Sequence, residues 1–338
     1  MADNTDRGSV MTQYSSVYAW LQTRLAAGEV LVLDGGTGTE LQRRGIAMDP
    51  AAWCGPATLG NDQLLTQIHL DYINAGADVI TANTFAAGRV MLAAAGYASQ
   101  VAEINRRAVE AALKAREQAA AHGRRVAVAG SISHMVPVEA GTDHIDPRLV
   151  PPDAQFSESV HEQAQHLRRA GVDHLMLEMM YHPGRIALVL EAVATCGLPV
   201  WFGLSARRGK DGSLVSFHHL SEIALAEIVA LIPAAGIDAA GVMHSGSELV
   251  GDALKLIRTH FKGVLTAYPD SGYFEMPDWK FVDVVEPARL EQFYAQWLAA
   301  GAQVIGGCCG LGVAHIEAAA RARARARKPG ATGTPTSG

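Results

Sequence analysis

Eight short apolar segments separated by stretches of helical period predict an α/β fold, a (β/α)8 TIM barrel, for this 338-residue chain. Two further observations support the prediction. The segments are apolar on both faces, as strands of a covered parallel sheet must be. Between the ends of the chain, no stretch has the composition of an interdomain linker, and eight βα units suit a closed barrel better than an open doubly wound sheet. One barrel over residues 15–321 is therefore expected, preceded by a flexible polar segment, 1–14, and followed by a disordered tail, 322–338.

In chain order the strands are expected at Val30 to Leu33, Val79 to Ala82, Val126 to Ala129, His174 to Leu177, Val200 to Leu204, Ala239 to Met243, Val264 to Ala267 and Gln303 to Ile305. Helices are expected over Asp62 to Ala75, Val101 to Ala120, Phe156 to Arg169, Pro183 to Val193, Leu220 to Ala230, Glu248 to His260 and Pro287 to Ala299. Long non-helical stretches at about 134–155, 206–219 and 268–286 become loops over the active face. The Ala-Arg run from Arg321 to Arg327 reads as a helix end fraying into a solvated basic tail, with anion binding as the sharper alternative.

Composition narrows the function classes. With 28 Lys and Arg against 34 Asp and Glu, the net charge is -6, which leaves no excess positive field for a nucleic acid or an anionic membrane. No apolar run is long enough to span a bilayer. Four cysteines, at 54, 196, 308 and 309, with no signal-like start before them, point away from a secreted disulfide framework and toward a cytoplasmic protein that acts on small molecules.

The chemistry-bearing residues fall at the ends of the expected strands. Asp34-Gly35-Gly36-Thr37-Gly38-Thr39-Glu40 follows the first; its glycines allow a tight turn that brings backbone N–H groups and two carboxylates to a ligand. It has neither the lysine of a P-loop nor dinucleotide spacing, and Thr37 or Thr39 can equally cap a helix. Asn83 ends the second strand, and Glu178 interrupts the fourth, where it must be paired, protonated or turned to a polar cavity. His244 follows the sixth strand, and Cys308-Cys309 the eighth. In a barrel these three meet over one rim, two thiolates and an imidazole with a fourth tetrahedral position open, as at a catalytic zinc. Core packing or a redox pair are the competing accounts of the vicinal cysteines. His69, His161 and His166 fall in helical stretches, and His218, His219 and His315 read as loop or cap residues. Trp53 and the Tyr268-Pro269-Asp270-Ser271-Gly272-Tyr273 turn read as pocket walls, and Cys54 as a small packing residue.

Taken in order, the Asp34 to Glu40 start, Thr81-Ala82-Asn83-Thr84-Phe85, the Glu178 strand, Tyr268-Pro269-Asp270-Ser271-Gly272 and Gly306-Gly307-Cys308-Cys309-Gly310 resemble the homocysteine S-methyltransferase family over about residues 26–320. The resemblance implies a (β/α)8 barrel, zinc as cofactor, and three sulfur ligands, two of them matching Cys308 and Cys309. Where the family has a third cysteine, this chain has Gly241-Val242-Met243-His244, which removes one negative charge from the site. Glu178-Met179-Met180-Tyr181-His182-Pro183 departs from the family's Glu-Thr-Ile-Pro-like segment. Glu178 still matches the acidic position that holds an amino-acid ammonium.

The expected reaction is methyl transfer from an activated donor, a sulfonium by preference, to the thiol of homocysteine or a related acceptor. His244, Cys308 and Cys309 hold the metal; Asp34, Gly35, Gly36, Thr37, Glu40, Asn83, Glu178, Tyr268 and Ser271 surround the substrates. The alternatives are methyl supply by a separate corrinoid protein or a methylated one-carbon carrier, hydrolysis at the same metal, and a nonenzymatic thiol- or metal-binding barrel.

Overall fold

The computed structural model describes residues 15–219 and 221–326. Eight parallel strands form its sheet: β1 (Leu31–Val32), β2 (Val79–Ala82), β3 (Ala127–Ser133), β4 (His174–Met180), β5 (Val200–Leu204), β6 (Ala239–Gly246), β7 (Val264–Asp270) and β8 (Ala302–Ile305). Each strand pairs with its sequence neighbours, and β8 returns to β1 through Leu31↔Val304 and Val32↔Ile305. A Leu33↔Val79 bridge and the Asp34 N–H bond to the Val79 carbonyl, 3.1 Å, join β1 to β2 and close the barrel. The β-branched and alanine-rich strands satisfy their backbone groups with one another while helices cover the outer faces, so nearly every strand residue is buried.

Helices Asp62–Ala75, Val101–Ala120 and Pro287–Ala299 lie where the periodicity predicts them. The expected 220–230 helix is the shorter Leu225–Val229. Two of the long rim loops contain antiparallel hairpins, Ala206–Arg208 with Leu214–Ser216 and Tyr273–Glu275 with Asp278–Lys280. The final helix, Val313–Ala326, runs past the expected barrel end at 321, with Ala322 buried and Arg323 paired to Asp78 at 2.5 Å. Residues 322–326 are thus helical rather than a disordered tail; 1–14 and the rest of the tail lie outside the described residues.

An N-terminal helix, Ser16–Ala26, plugs the bottom of the barrel. Its buried Tyr18 and Leu21 enter the interior layer formed by Leu31, Leu33, Val79, Ala127, Met176, Trp201 and Val304. The Tyr18 hydroxyl accepts from Trp201 Nε1 at 2.9 Å and donates to Asp238 at 2.6 Å, which satisfies both groups without water. With the bottom filled among the described residues, the open end of the barrel is its C-terminal rim, where the loops are long.

Candidate metal and substrate site

Two irregularities in the barrel aim the chief polar groups. The β4–β5 register shifts between Leu177 and Met180, and the β6–β7 register between Met243 and Gly246. Met179 and His244, inside those shifts, have φ of 53° and 42°, the left-handed region that non-glycine residues avoid. Trp53, at φ 49°, lines the same cavity as these two. Backbone strain therefore gathers at this rim, where it directs side chains inward.

The cavity has a volume of about 330 Å³. At its floor the Cys308 and Cys309 sulfurs lie 3.7 Å apart, and His244 Nδ1 is 3.8 Å from Cys308 Sγ. All three ligand atoms fall within 4.8 Å of one another. Tetrahedral zinc, with Zn–S of about 2.3 Å and Zn–N of about 2.0 Å, sets ligand atoms roughly 3.5–3.8 Å apart; the two contacts of Cys308 match that spacing, and three such ligands would leave a fourth position open. Without a metal the site holds its protons, which a bound cation would have to displace. Its neighbour Cys309 and burial push the Cys308 thiol well above the ordinary range, against the opposing pull of His244, so the pair ionises only beside positive charge. Burial acts to lower the His244 pKa, but Asp270, 3.6 Å from Nδ1, together with Cys308 and Glu178, raises it to about 9.

The sharp turn carrying the cysteines dictates two glycines. A Cβ on Gly36 would sit 2.7 Å from the Cys308 carbonyl oxygen, and one on Gly310, at φ +79°, would strike the Ser271 carbonyl. The Asp34-Gly35-Gly36 turn is thus a seat for the cysteine loop; the short helix Thr37–Arg43 does follow it, but its N-cap is Gly36, and neither Thr37 nor Thr39 caps it with a side chain.

Glu178 is buried; its carboxylate accepts from the Ser131 hydroxyl and from Tyr268. Burial raises its pKa to about 7, against the opposing pull of Ser131, His244 and Tyr268. Asp34, also buried and raised well above the usual range by desolvation, accepts from the Thr81 N–H at 2.6 Å and the Thr81 hydroxyl at 3.0 Å. Asn83 lines the cavity while donating to the Cys54 carbonyl at 2.9 Å. Gly35, Gly36, Thr37 and Tyr268 line it as well.

Two expected substrate contacts need correction. Glu40 turns away from the cavity to Arg43 and Arg44, the latter at 3.0 Å, because its helix faces those side chains outward. Ser271 spends its hydroxyl on the Val285 N–H at 2.8 Å, fixing the rim loop instead of facing a ligand. His219, expected to be only a loop or cap residue, lines the cavity and pairs with Asp143 at 3.1 Å. Phe217 packs edge-on against His244, ring centroids 5.1 Å apart, and Trp279 does so from another side at 5.6 Å. Only the aromatic character of Phe217 marked it in the sequence; its placement comes from the 206–216 hairpin.

A (β/α)8 barrel that gathers a Cys2His trio and a buried carboxylate at its C-terminal rim has the layout of a barrel enzyme whose active site lies above the strands. The homocysteine S-methyltransferase family model matches residues 31–323, and the chain belongs to that family; it is an S-methyltransferase. It is 28% identical to homocysteine S-methyltransferase 4 of Zea mays, over 88% of this chain and 90% of that protein. It is 29% identical to the homocysteine S-methyltransferase of Escherichia coli strain K12, over 88% and 96% respectively. The metallated crystal form of the Escherichia coli homocysteine methyltransferase MmuM superposes with a TM-score of 0.70 at 27% identity, covering 90% of this chain and 99% of that one. Among the described residues no helix is long and apolar enough to cross a membrane.

Proposed function

We propose that the protein methylates the thiol of homocysteine or a close relative, using a sulfonium donor and a zinc ion held by His244, Cys308 and Cys309. The observation that carries this reading is the convergence of those three ligand atoms within 4.8 Å in the wall of a cavity that also holds Glu178. The family and the homocysteine S-methyltransferases among its relatives support homocysteine as acceptor, and the metallated form of MmuM supports a metal. When bound, zinc supplies the positive charge that keeps an acceptor thiol ionised near neutral pH.

The chain's own residues do the rest. Glu178 faces the amino-acid end: an entering ammonium offsets the burial that raises its pKa to about 7, so ionisation and binding reinforce each other. Ser131 and Tyr268 hold the carboxylate in place, and Asp34 adds a second acidic wall. Trp53, Phe217, Phe274 and Trp279 cover the reacting region with apolar surface, which excludes water. In the transfer, a lone pair on the acceptor sulfur forms the new S–CH3 bond while the donor's S–CH3 bond breaks. The bonding pair departs with a neutral sulfide, and since the thiol proton has already left, no side chain acts as general base in this step. Alignment of the two sulfurs by the walls supplies the orientational part of the rate.

The test is methionine formation by reduced, zinc-loaded protein given homocysteine and a panel of sulfonium, betaine, methylated one-carbon and methylcorrinoid donors. Methionine from the sulfonium wells alone is the expected result. Methionine only with a corrinoid-carrying partner would transfer the donor role to that partner, and none from any donor would overturn the reading.

A further inference from the structure

Beside the cavity, where β4 enters the helix Pro183–Ala194, four nitrogen-bearing side chains gather, none of them in an ion pair with a carboxylate among the described residues. His134 is fully buried, and its Nε2 accepts the backbone N–H groups of Tyr181 at 3.0 Å and His182 at 3.3 Å. His182 Nδ1 accepts the Arg185 N–H at 3.3 Å, and His218 Nδ1 accepts the Ser221 N–H at 3.2 Å. A ring nitrogen that accepts a backbone N–H carries no proton, so each neutral ring must carry its proton on the opposite nitrogen. Burial, followed by the charge of Arg185, lowers the pKa of all three and keeps them neutral. Three imidazole N–H donors therefore remain, one on each ring.

Arg185 completes the set. It is 9% exposed, its Nη1 has no hydrogen-bond partner, and neither Asp153 nor Tyr181, the neighbours that favour its charge, forms an ion pair with it among the described residues. His134 Nδ1 is likewise buried and without a partner. The His182 and His218 rings lie 5.2 Å apart, and Tyr181 packs between His134, at 4.4 Å, and His218, at 6.2 Å. A buried guanidinium with neither carboxylate nor full hydrogen bonding is costly, and a helix N-terminus adds further positive potential at the same place. Tyr181 and His134 also line the main cavity, so the cluster adjoins the space where the methyl donor must lie.

We propose that Arg185, His134, His182 and His218 form a receptor for an oxyanion, either a carboxylate of the methyl donor or free inorganic phosphate. The receptor stands independently of the methyl-transfer reading; only the assignment of its anion to the donor rests on that reading. Isothermal titration of the full-length protein with phosphate, sulfate and acetate tests it directly, using wild type, Arg185→Met and His218→Phe. Wild type should bind at least one of these anions, and each substitution should weaken binding by about tenfold or more, the loss of one charge-assisted contact. Circular dichroism checks folding; if one variant is misfolded, the other decides. Absence of binding by wild type, or equal binding by a folded variant, would overturn the proposal. A kinetic arm then separates the sources: Arg185→Met raises KM about tenfold for a carboxylate-bearing sulfonium, but not for its carboxamide, if the anion is the donor's. If both KM values stay put while phosphate binding is lost, the anion is free phosphate. Should no donor support turnover, methyl transfer fails and the titration still judges the receptor.

Discussion

Glu178→Gln tests the electrostatics of the acceptor end most directly. The native carboxyl is raised from an ordinary 4.5 to about 7 by burial, so the native state holds its proton more tightly than the unfolded chain. The contribution of this carboxyl to stability should thus be highest below pH 4.5, fall as pH rises toward 7, and level off above it. A displacement of that size corresponds to about 3 kcal/mol for the ionised form. Glutamine carries no charge and keeps an acceptor for Ser131 or Tyr268, so it removes the pH-dependent cost without opening a cavity. His244, whose charge eases the ionisation of Glu178 and whose pKa Glu178 raises in turn, adds to the difference as it loses its proton. Denaturant unfolding of metal-free, reduced wild type and variant from acid to mildly alkaline pH should show near-equal stability in acid and a variant advantage approaching 3 kcal/mol in alkali, roughly as that displacement requires. The same variant should raise KM for the thiol substrate, since it removes the charge that meets the ammonium. Parallel stability curves, or a variant that is weaker in alkali, would refute the assignment of Glu178 as a desolvated, ionisable acceptor group.

The remaining predictions concern the metal, its seat and the barrel plug. Cys308→Ser should reduce bound zinc, measured by a chelating dye after gel filtration, to a small fraction of the wild-type stoichiometry, whereas His244→Cys should retain it because a third thiolate restores the charge. Gly36→Ala should lower metal affinity about tenfold or more and lower Tm, because its Cβ would press on the Cys308 carbonyl at 2.7 Å; unchanged zinc binding would show that the cysteine turn yields freely. Tyr18→Phe should cost about 1–3 kcal/mol in denaturant unfolding, since it leaves both Trp201 Nε1 and Asp238 without their hydroxyl partner.

Strand positions were legible because each barrel strand is a compact apolar run: Val79 to Ala82 and Val200 to Leu204 coincide with β2 and β5. The plug helix Ser16–Ala26 was not, since only Tyr18 and Leu21 are buried along it and no stripe marks it. The rim hairpins escaped notice for a similar reason: Leu214–Ser216 and Tyr273–Glu275 are three residues each, too short for a period to emerge. Cys308-Cys309 announced itself by adjacency, and His244 by its place after an apolar strand. Glu40 misled because a glycine-rich turn suggests that all its carboxylates face a ligand, whereas the helix that begins at Thr37 carries Glu40 round to Arg43 and Arg44. The Arg185 cluster had no sequence signature, since His134, His182 and His218 come from three separate loops and what they share is the tautomer imposed by backbone N–H groups.

Asp34 is also the clasp of the barrel. β1 is only two residues long, and its join to β2 rests on the Leu33↔Val79 bridge, the Asp34–Thr81 pair of bonds and, lower down, Asp78 bound to the Val32 N–H at 2.9 Å and to Arg24 at 2.7 Å. The ring of strands is thus fastened most sparingly beside the pocket, so local breathing should begin there, with the amides of Val32 to Asp34 and Thr81 exchanging with solvent before those of β4 or β6. A ligand that engages Asp34 would then do more than occupy a cavity: it would slow amide exchange along the whole β1–β2 seam, making the enzyme a firmer cylinder when it is loaded than when it is waiting.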